Sequence, residues 1–396
     1  MDTSPFSLVM ILAAGVAAPV CAELLKRFRV PSVLFEILLG ILIGPQLLGW
    51  VELDGFITVL SQFGLAFLMF FAGYEIDFTR VRGAALRLAG TGWLVSLGLG
   101  LALAYPLQAS GFVRSDLLVG LALATTAIGT LLPMMKDQGI VETRFGTFLL
   151  AAGSAGEFGP IVAITLLLSG EQPAHEAVLF VAFVFVALVG AYVATRPQPP
   201  AALATIRRHI DTSSQLPVRI AMLLLGTMLL LAFELGLDTL LGAFVAGIIL
   251  RLLLSRNRVE QLQPKLEAVG FGVFIPVFFV VSGVSFDLDH LVSSPSTMAR
   301  VPLFLAFFLV VRGTPALLLY RKVLRGAERR ALAVLTSTAL PLVVVITTIG
   351  LETDNMSIEN ATALVSAGML SVLVYPLAGF ALARRADRAE PSPPIS

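Results

Sequence analysis

"FLMFFAGYEIDF", residues 67–78, is an aromatic-rich apolar run that closes on a glycine and then an aspartate. "PVFFVVSGVSFDL", residues 276–288, follows the same plan, with Gly283 standing 210 positions after Gly73. A second pair keeps nearly the same offset: "EILLGILIGPQLLG" (36–49) matches "TLLGAFVAGIILR" (239–251), with Gly247 standing 207 positions after Gly40. About 20 apolar residues suffice to cross the roughly 30 Å hydrocarbon core of a bilayer, so the repeat is one of membrane spans. The architecture then depends on how many spans separate the copies.

Composition agrees with spans throughout. Hydrophobic residues make up 57% of the chain and charged residues 13%, against about 25% charged in soluble domains. Mean hydropathy is +0.92. The chain reads as a polytopic membrane protein with the lipid bilayer as its solvent. Its net charge of +1 says little more, no nucleic-acid partner is expected, and its single cysteine, Cys21, rules out an internal disulfide. The amino terminus lacks a basic segment and a small-residue cleavage site, and reads as a retained first span.

Thirteen spans are predicted, near 6–25, 32–50, 56–76, 85–109, 115–135, 145–169, 175–195, 217–234, 237–255, 267–286, 301–320, 331–350 and 358–382. Of the 27 Lys and Arg residues, 24 then fall in loops on one side. Arg114 and Arg300 lie on the other side, and Arg312 lies inside a span. Cytoplasmic loops retain positive charge, which predicts the amino terminus outside and the carboxyl terminus in the cytoplasm. The proline-containing linker "RPQPPAALATIRRHIDTSSQLP", 196–217, divides the chain. A first repeat over 1–170, a connector span with cytoplasmic linker over 171–216, a second repeat over 217–383 and a short cytoplasmic tail over 384–396 follow. An odd number of spans separates the copies, so they cross in opposite senses. The fold class is therefore all-α, with about 13 transmembrane helices in two inverted six-helix repeats, a plan that places a site where helices are interrupted at the midplane.

Two such interruptions are visible. Span five, "LVGLALATTAIGTLLPMM", has Thr125, Thr126, Gly129 and Thr130 at its centre, and span twelve has Ser337, Thr338 and Pro341 at the equivalent place. Glu157, in "LLAAGSAGEFGPIVAITLLLSG" (149–170), and Arg312, in "FLAFFLVVRGTPALLLY" (304–320), lie at the same depth. Ionised groups at that level normally face a cavity or one another. Pro160 lacks the N–H that would bond the carbonyl of Gly156, leaving that oxygen free beside the glutamate. Gly153, Gly156 and Gly159 admit a close neighbour, and Ser154 lies one turn before Glu157.

"EILLGILIGPQLLGW", "FGLAFLMFFAGYEID", "ATTAIGTLLPM", "LGAFVAGIILR" and "FIPVFFVVSGVSFDL" occur here in one order. In that order and spacing the chain resembles the monovalent cation:proton antiporters of bacteria, the superfamily of the sodium/proton and Kef-type potassium/proton systems. The resemblance implies a core with two crossing broken helices, a scaffold that carries a dimer contact, and a homodimer in the cell membrane of a bacterium. It also implies transport of a monovalent cation (Na⁺, Li⁺ or K⁺) against H⁺, with no cofactor. In that family the sixth span bears an acidic pair, or Asn or Gln before Asp, and the second member binds cation or proton. Gly156 and Glu157 stand in those places, so the resemblance gives Glu157 the carrier role. It also makes Arg312 the charge partner and Thr125 and Thr126 part of the unwound ligand stretch. The departures are a Glu for Asp, a missing polar neighbour, and Thr-Ala-Leu-Pro at the twelfth span.

Competition at one carboxylate predicts one cation per proton, hence electroneutral exchange. A fixed ion pair between Glu157 and Arg312 is the structural alternative, and transport of another solute, or ion sensing without turnover, is the functional one. Glu36 is expected in the first turn of a helix, where the dipole favours an acid. Glu75 and Asp77 are expected to pair at the interface, and Asp287 and Asp289 to be solvated. His175, His209 and His290 lie in loops at different faces and form no metal site. No interfacial His, Asp and Ser cluster of the kind a membrane enzyme uses is present.

Overall fold

In a computed structural model the described residues are 5–25, 30–74, 83–167, 183, 185, 189, 215–235, 237, 239–253 and 256–389. Every regular element among them is helical. The first half holds α1 (Pro5–Leu24), α2 (Ser32–Ile43), α3 (Gly55–Tyr74), α4 (Ala84–Ala109), α5 (Asp116–Leu123), α6 (Ile128–Asp137) and α7 (Arg144–Leu167). The second holds α8 (Leu216–Glu234), α9 (Thr239–Leu253), α10 (Arg256–Val269) and, after a π-helical turn at Gly270–Phe274, α11 (Ile275–Val284). After α12 (Leu288–Ser293) come α13 (Pro295–Leu319), α14 (Gly326–Thr336), α15 (Pro341–Glu352) and α16 (Ile358–Ala389).

Among the described residues, nine helical stretches are long and apolar enough to cross a membrane, and three shorter apolar stretches lie over Ser32–Ile43, Asp116–Leu132 and Thr239–Leu253. These correspond to twelve of the thirteen expected spans. The seventh, 175–195, lies outside the described residues, as do Glu75, Asp77, His175 and His209. The second span is shorter than expected. α2 stops at Ile43 because Gly44, with ψ 175°, precedes Pro45, whose ring disfavours a helical residue before it. Glu36 is not in the first turn of α2, which contains no acid, but one turn deeper and buried. Asp287 and Asp289 are tied to the stretch after α2. Gln46 Nε2 donates to Asp287 Oδ1 at 3.1 Å, and Gln46 Oε1 accepts from the backbone N–H of Asp289 at 3.1 Å.

The chain forms two compact units, one drawing on residues between 54 and 77 and between 161 and 278, the other on the remainder. In the first, α3 packs on α9 with no room for side chains at the contact. A Cβ on Gly73 would lie 2.0 Å from the carbonyl oxygen of Phe244, and one on Gly247 would lie 2.0 Å from that of Phe70. Phe67 stacks on Phe274 at 5.1 Å beside them. In the second unit the same device joins α2 to α11, where a Cβ on Gly40 would lie 2.1 Å from Val280 O and one on Gly283 would lie 2.1 Å from Ile37 O. Lipid is as apolar as leucine, so spans associate through such close backbone approach and not through hydrophobicity. The repeat carries Gly40 onto Gly247 and Gly73 onto Gly283, so each contact is the image of the other.

The second unit also holds α4–α6, most of α7, and α13–α16. Leu131, Leu149, Tyr320, Ala331 and Leu335 lie at its core.

Candidate functional site

The broken spans are now explicit. The helix α5 ends at Leu123 and α6 begins at Ile128; α14 ends at Thr336 and α15 begins at Pro341. Pro341 starts its helix because it needs no N–H there, and Leu340 before it sits off helical geometry, at φ −148° and ψ −60°. The two unwound stretches meet. Ala127 N donates to Thr338 O at 2.7 Å, and Thr126 Oγ1 donates to Thr336 O.

Flanking helices hold both stretches. Thr126 N donates to Gly156 O on α7 at 3.0 Å, and Ala339 exchanges two 2.9 Å bonds with Ser371 Oγ on α16. The first of these bonds corrects an expectation. Pro160 does release the carbonyl of Gly156 from its own helix, but the oxygen is not left free, because the unwound backbone at Thr126 takes it up.

Arg312, on α13 and 4% exposed, binds the crossing from the side. Its Nε donates to Thr126 Oγ1 at 2.8 Å, with a longer contact to Thr336 O at 3.5 Å. Nη1 donates to Ser96 Oγ at 3.1 Å and Nη2 to Ala152 O at 2.9 Å. These acceptors come from α4, α7 and both broken helices. Among the described residues, the hydrogen bonds of the guanidinium go to carbonyls and hydroxyls, and none goes to a carboxylate. A small hollow lined by Trp93, Arg312, Pro315 and Tyr320 lies against the guanidinium.

Gly156 is required by the same arrangement. A Cβ there would lie 2.5 Å from Arg312 Nη2 and 2.6 Å from Thr126 Oγ1. On the next residue, Glu157 is 2% exposed, and its Oε1 lies 3.9 Å from where a Cβ of Gly129 would stand. Gly129 is the second residue of α6, so the carboxyl group faces the first turn of a half-helix, where the partial positive charge of unpaired N–H groups favours an anion.

The remaining predicted residues differ in how their hydroxyls are placed. Thr125 Oγ1 donates to Ala122 O at 2.8 Å and Thr130 Oγ1 to Ala127 O at 2.9 Å, so both hydroxyls are engaged within their own segments. Ser154 is half-buried on α7. Thr338 is fully buried, and its Oγ1 makes no hydrogen bond among the described residues. Sequence reasoning did not find Ser96 or Ser371. Both are buried serines inside apolar spans, and that was the only available signal. Among the described residues no group of His, Cys, Asp and Glu could hold a resident metal ion.

Comparison with known proteins adds three kinds of likeness. The family described as "Sodium/hydrogen exchanger, transmembrane" matches residues 11–385. YjbQ of Bacillus subtilis is 28% identical over 98% of the chain, which spans 64% of that protein's length. The Na(+)/H(+) antiporter of Enterococcus hirae is 26% identical over 69% of this chain and 72% of its own. The Na(+)/H(+)-K(+) antiporter GerN of Bacillus cereus is 25% identical over 72% of each. In fold, the chain matches the sodium proton antiporter MjNhaP1 of Methanocaldococcus jannaschii with a TM-score of 0.66. That match covers 96% of this chain and 98% of the other at 16% identity.

Proposed function

The chain belongs to the sodium/hydrogen exchanger family of membrane transporters, and on that premise we propose that it exchanges a monovalent cation for a proton by alternating access. The observation that carries the reading is Glu157, a buried carboxyl group set beside two crossing unwound helices and facing the first turn of α6. A proton and a hard cation exclude each other from one carboxylate, so the site is loaded with either but never both. Its ligands would be Glu157, the half-buried Ser154, and the unwound stretch at Thr125 and Thr126. The buried hydroxyl of Thr338 stands on the opposite unwound strand. Gly129, Thr130, Pro341, Gly156 and Pro160 shape the break.

Arg312 is the charge partner in this reading. Its hydrogen bonds fix the crossing, and its positive charge next to Gly156 offsets the negative charge that Glu157 carries after releasing a proton. One titrating acid moves one proton per cation, so exchange is electroneutral. The repeats are assigned as 1–170 and 217–383, joined through 171–216 and ending in a tail at 384–396. The protein is placed in a bacterial cell membrane with its carboxyl terminus in the cytoplasm, as a dimer. Na⁺ and K⁺ are the candidate cations, and the named activities of the E. hirae and B. cereus relatives support both.

The test is a pH-gradient assay in everted vesicles. Addition of Na⁺ or K⁺ is expected to dissipate the gradient, at a rate that an imposed membrane potential leaves unchanged. A gradient that neither ion dissipates points to another solute or to sensing without turnover. A rate that follows the potential removes the one-to-one stoichiometry.

A further inference from the structure

Glu36 is the second buried acid of the second unit, and the exchange mechanism does not use it. It is 5% exposed, and its Oε2 is sealed from solvent with no hydrogen bond among the described residues. Its place on α2 is specific. Residues four apart share a helix face, so Glu36 lies on the face of Gly40, whose backbone packs directly against Val280 of α11. Titratable groups are sparse on the described elements packed against α2. Among the described residues α11 carries none. Cys21 and Glu23 lie on α1 and Glu359 on α16, where Tyr375 donates to Leu305 O and Arg384 to Phe380 O.

An ionised carboxylate buried on that face loses its hydration, and its Oε2 gains no donor among the described residues, whereas the neutral acid is tolerated. We propose that Glu36 is a second proton-binding group, taking up a proton as α2 packs against α11 and returning it to water when that contact opens. The step is simple protonation, with no co-reactant. Acidification on the side that Glu36 meets when hydrated then favours the packed conformation. This extends the exchange reading above and rests on it for its role in turnover, adding a protonation that gates the cycle to the one carried by Glu157.

The experiment is an infrared pH titration of the reconstituted Glu157→Gln protein, followed at the carboxylic acid C=O band. At a pH where exposed carboxyl groups are ionised, a band is expected to persist in Glu157→Gln and to vanish in the Glu36→Gln, Glu157→Gln double variant. Where the double variant does not assemble, Glu36→Asp is expected to shift the band. In exchange assays Glu36→Gln is expected to lower the slope of log rate against pH by about one proton. A band indifferent to both substitutions, or a Glu36→Gln profile identical to wild type, overturns the proposal. Absence of exchange in the wild-type protein alongside a Glu36-dependent band removes the transport reading and leaves the proton site standing.

Discussion

Position 156 is a glycine because Arg312 Nη2 and Thr126 Oγ1 occupy the space, at 2.5 and 2.6 Å from where a Cβ would lie. That accounts for a departure the sequence displays without explaining. The space beside the acid that a side chain at 156 would fill is taken by a guanidinium and a hydroxyl. Gly156→Ala is therefore expected to cost about 1–3 kcal/mol through overpacking, read as a lowered melting temperature in detergent. Arg312→Lys tests the neighbouring claim. Lysine keeps the charge but cannot reach hydroxyls and carbonyls on three sides with a fixed fork, so two or more buried acceptors lose their donor. A loss of about 1–3 kcal/mol in stability is expected, with exchange still detectable. An Arg312→Lys protein as stable as wild type would mean that the network does not hold the crossing.

At the scale of elements, Pro160 is what lets α7 hold the broken helix, because its missing N–H leaves Gly156 O to accept from Thr126 at 3.0 Å. Pro160→Ala restores an intrahelical competitor for that oxygen, and its expected cost at the crossing is about 0.5–1.5 kcal/mol. Hydrogen–deuterium exchange should then quicken at 124–128, while the first turns of α7 stay protected. The close glycine pairs give a companion prediction. Gly247→Val places a branched side chain where the carbonyl of Phe70 lies 2.0 Å from the Cβ position, and folded protein should be lost from the membrane. Much of this level was legible in the sequence. Glycine, threonine and proline at the centres of apolar runs located both breaks, and the repeat offset marked four glycines as equivalent in pairs but not which of them meet. The partners of Arg312 were not legible. They come from α4, α7, α5–α6 and α14, and only the folded chain brings Ser96, Ala152, Thr126 and Thr336 to one guanidinium. Glu36 lies one helical turn beyond the place its closeness to Pro31 suggests, and its burial depends on tertiary packing that the local sequence does not display.

For the whole molecule, the inverted repeat gives two copies of each device, while only one copy carries the acid. α7 bears Glu157, whereas the equivalent α16 offers Gly368 and Ser371 at its crossing, with a Cβ on Gly368 lying 2.8 Å from Ala339 O. In the exchange proposed above, Glu157 is the one carboxyl group that meets both faces of the membrane in turn. The most direct measurement is cation-driven proton movement in proteoliposomes containing wild-type, Glu157→Asp or Glu157→Gln protein at matched amounts of folded transporter. Glu157→Gln should show no exchange above protein-free liposomes with either Na⁺ or K⁺, and Glu157→Asp should retain it with an altered pH profile. Exchange by Glu157→Gln at the wild-type rate would contradict the account and place the carrier elsewhere in the chain.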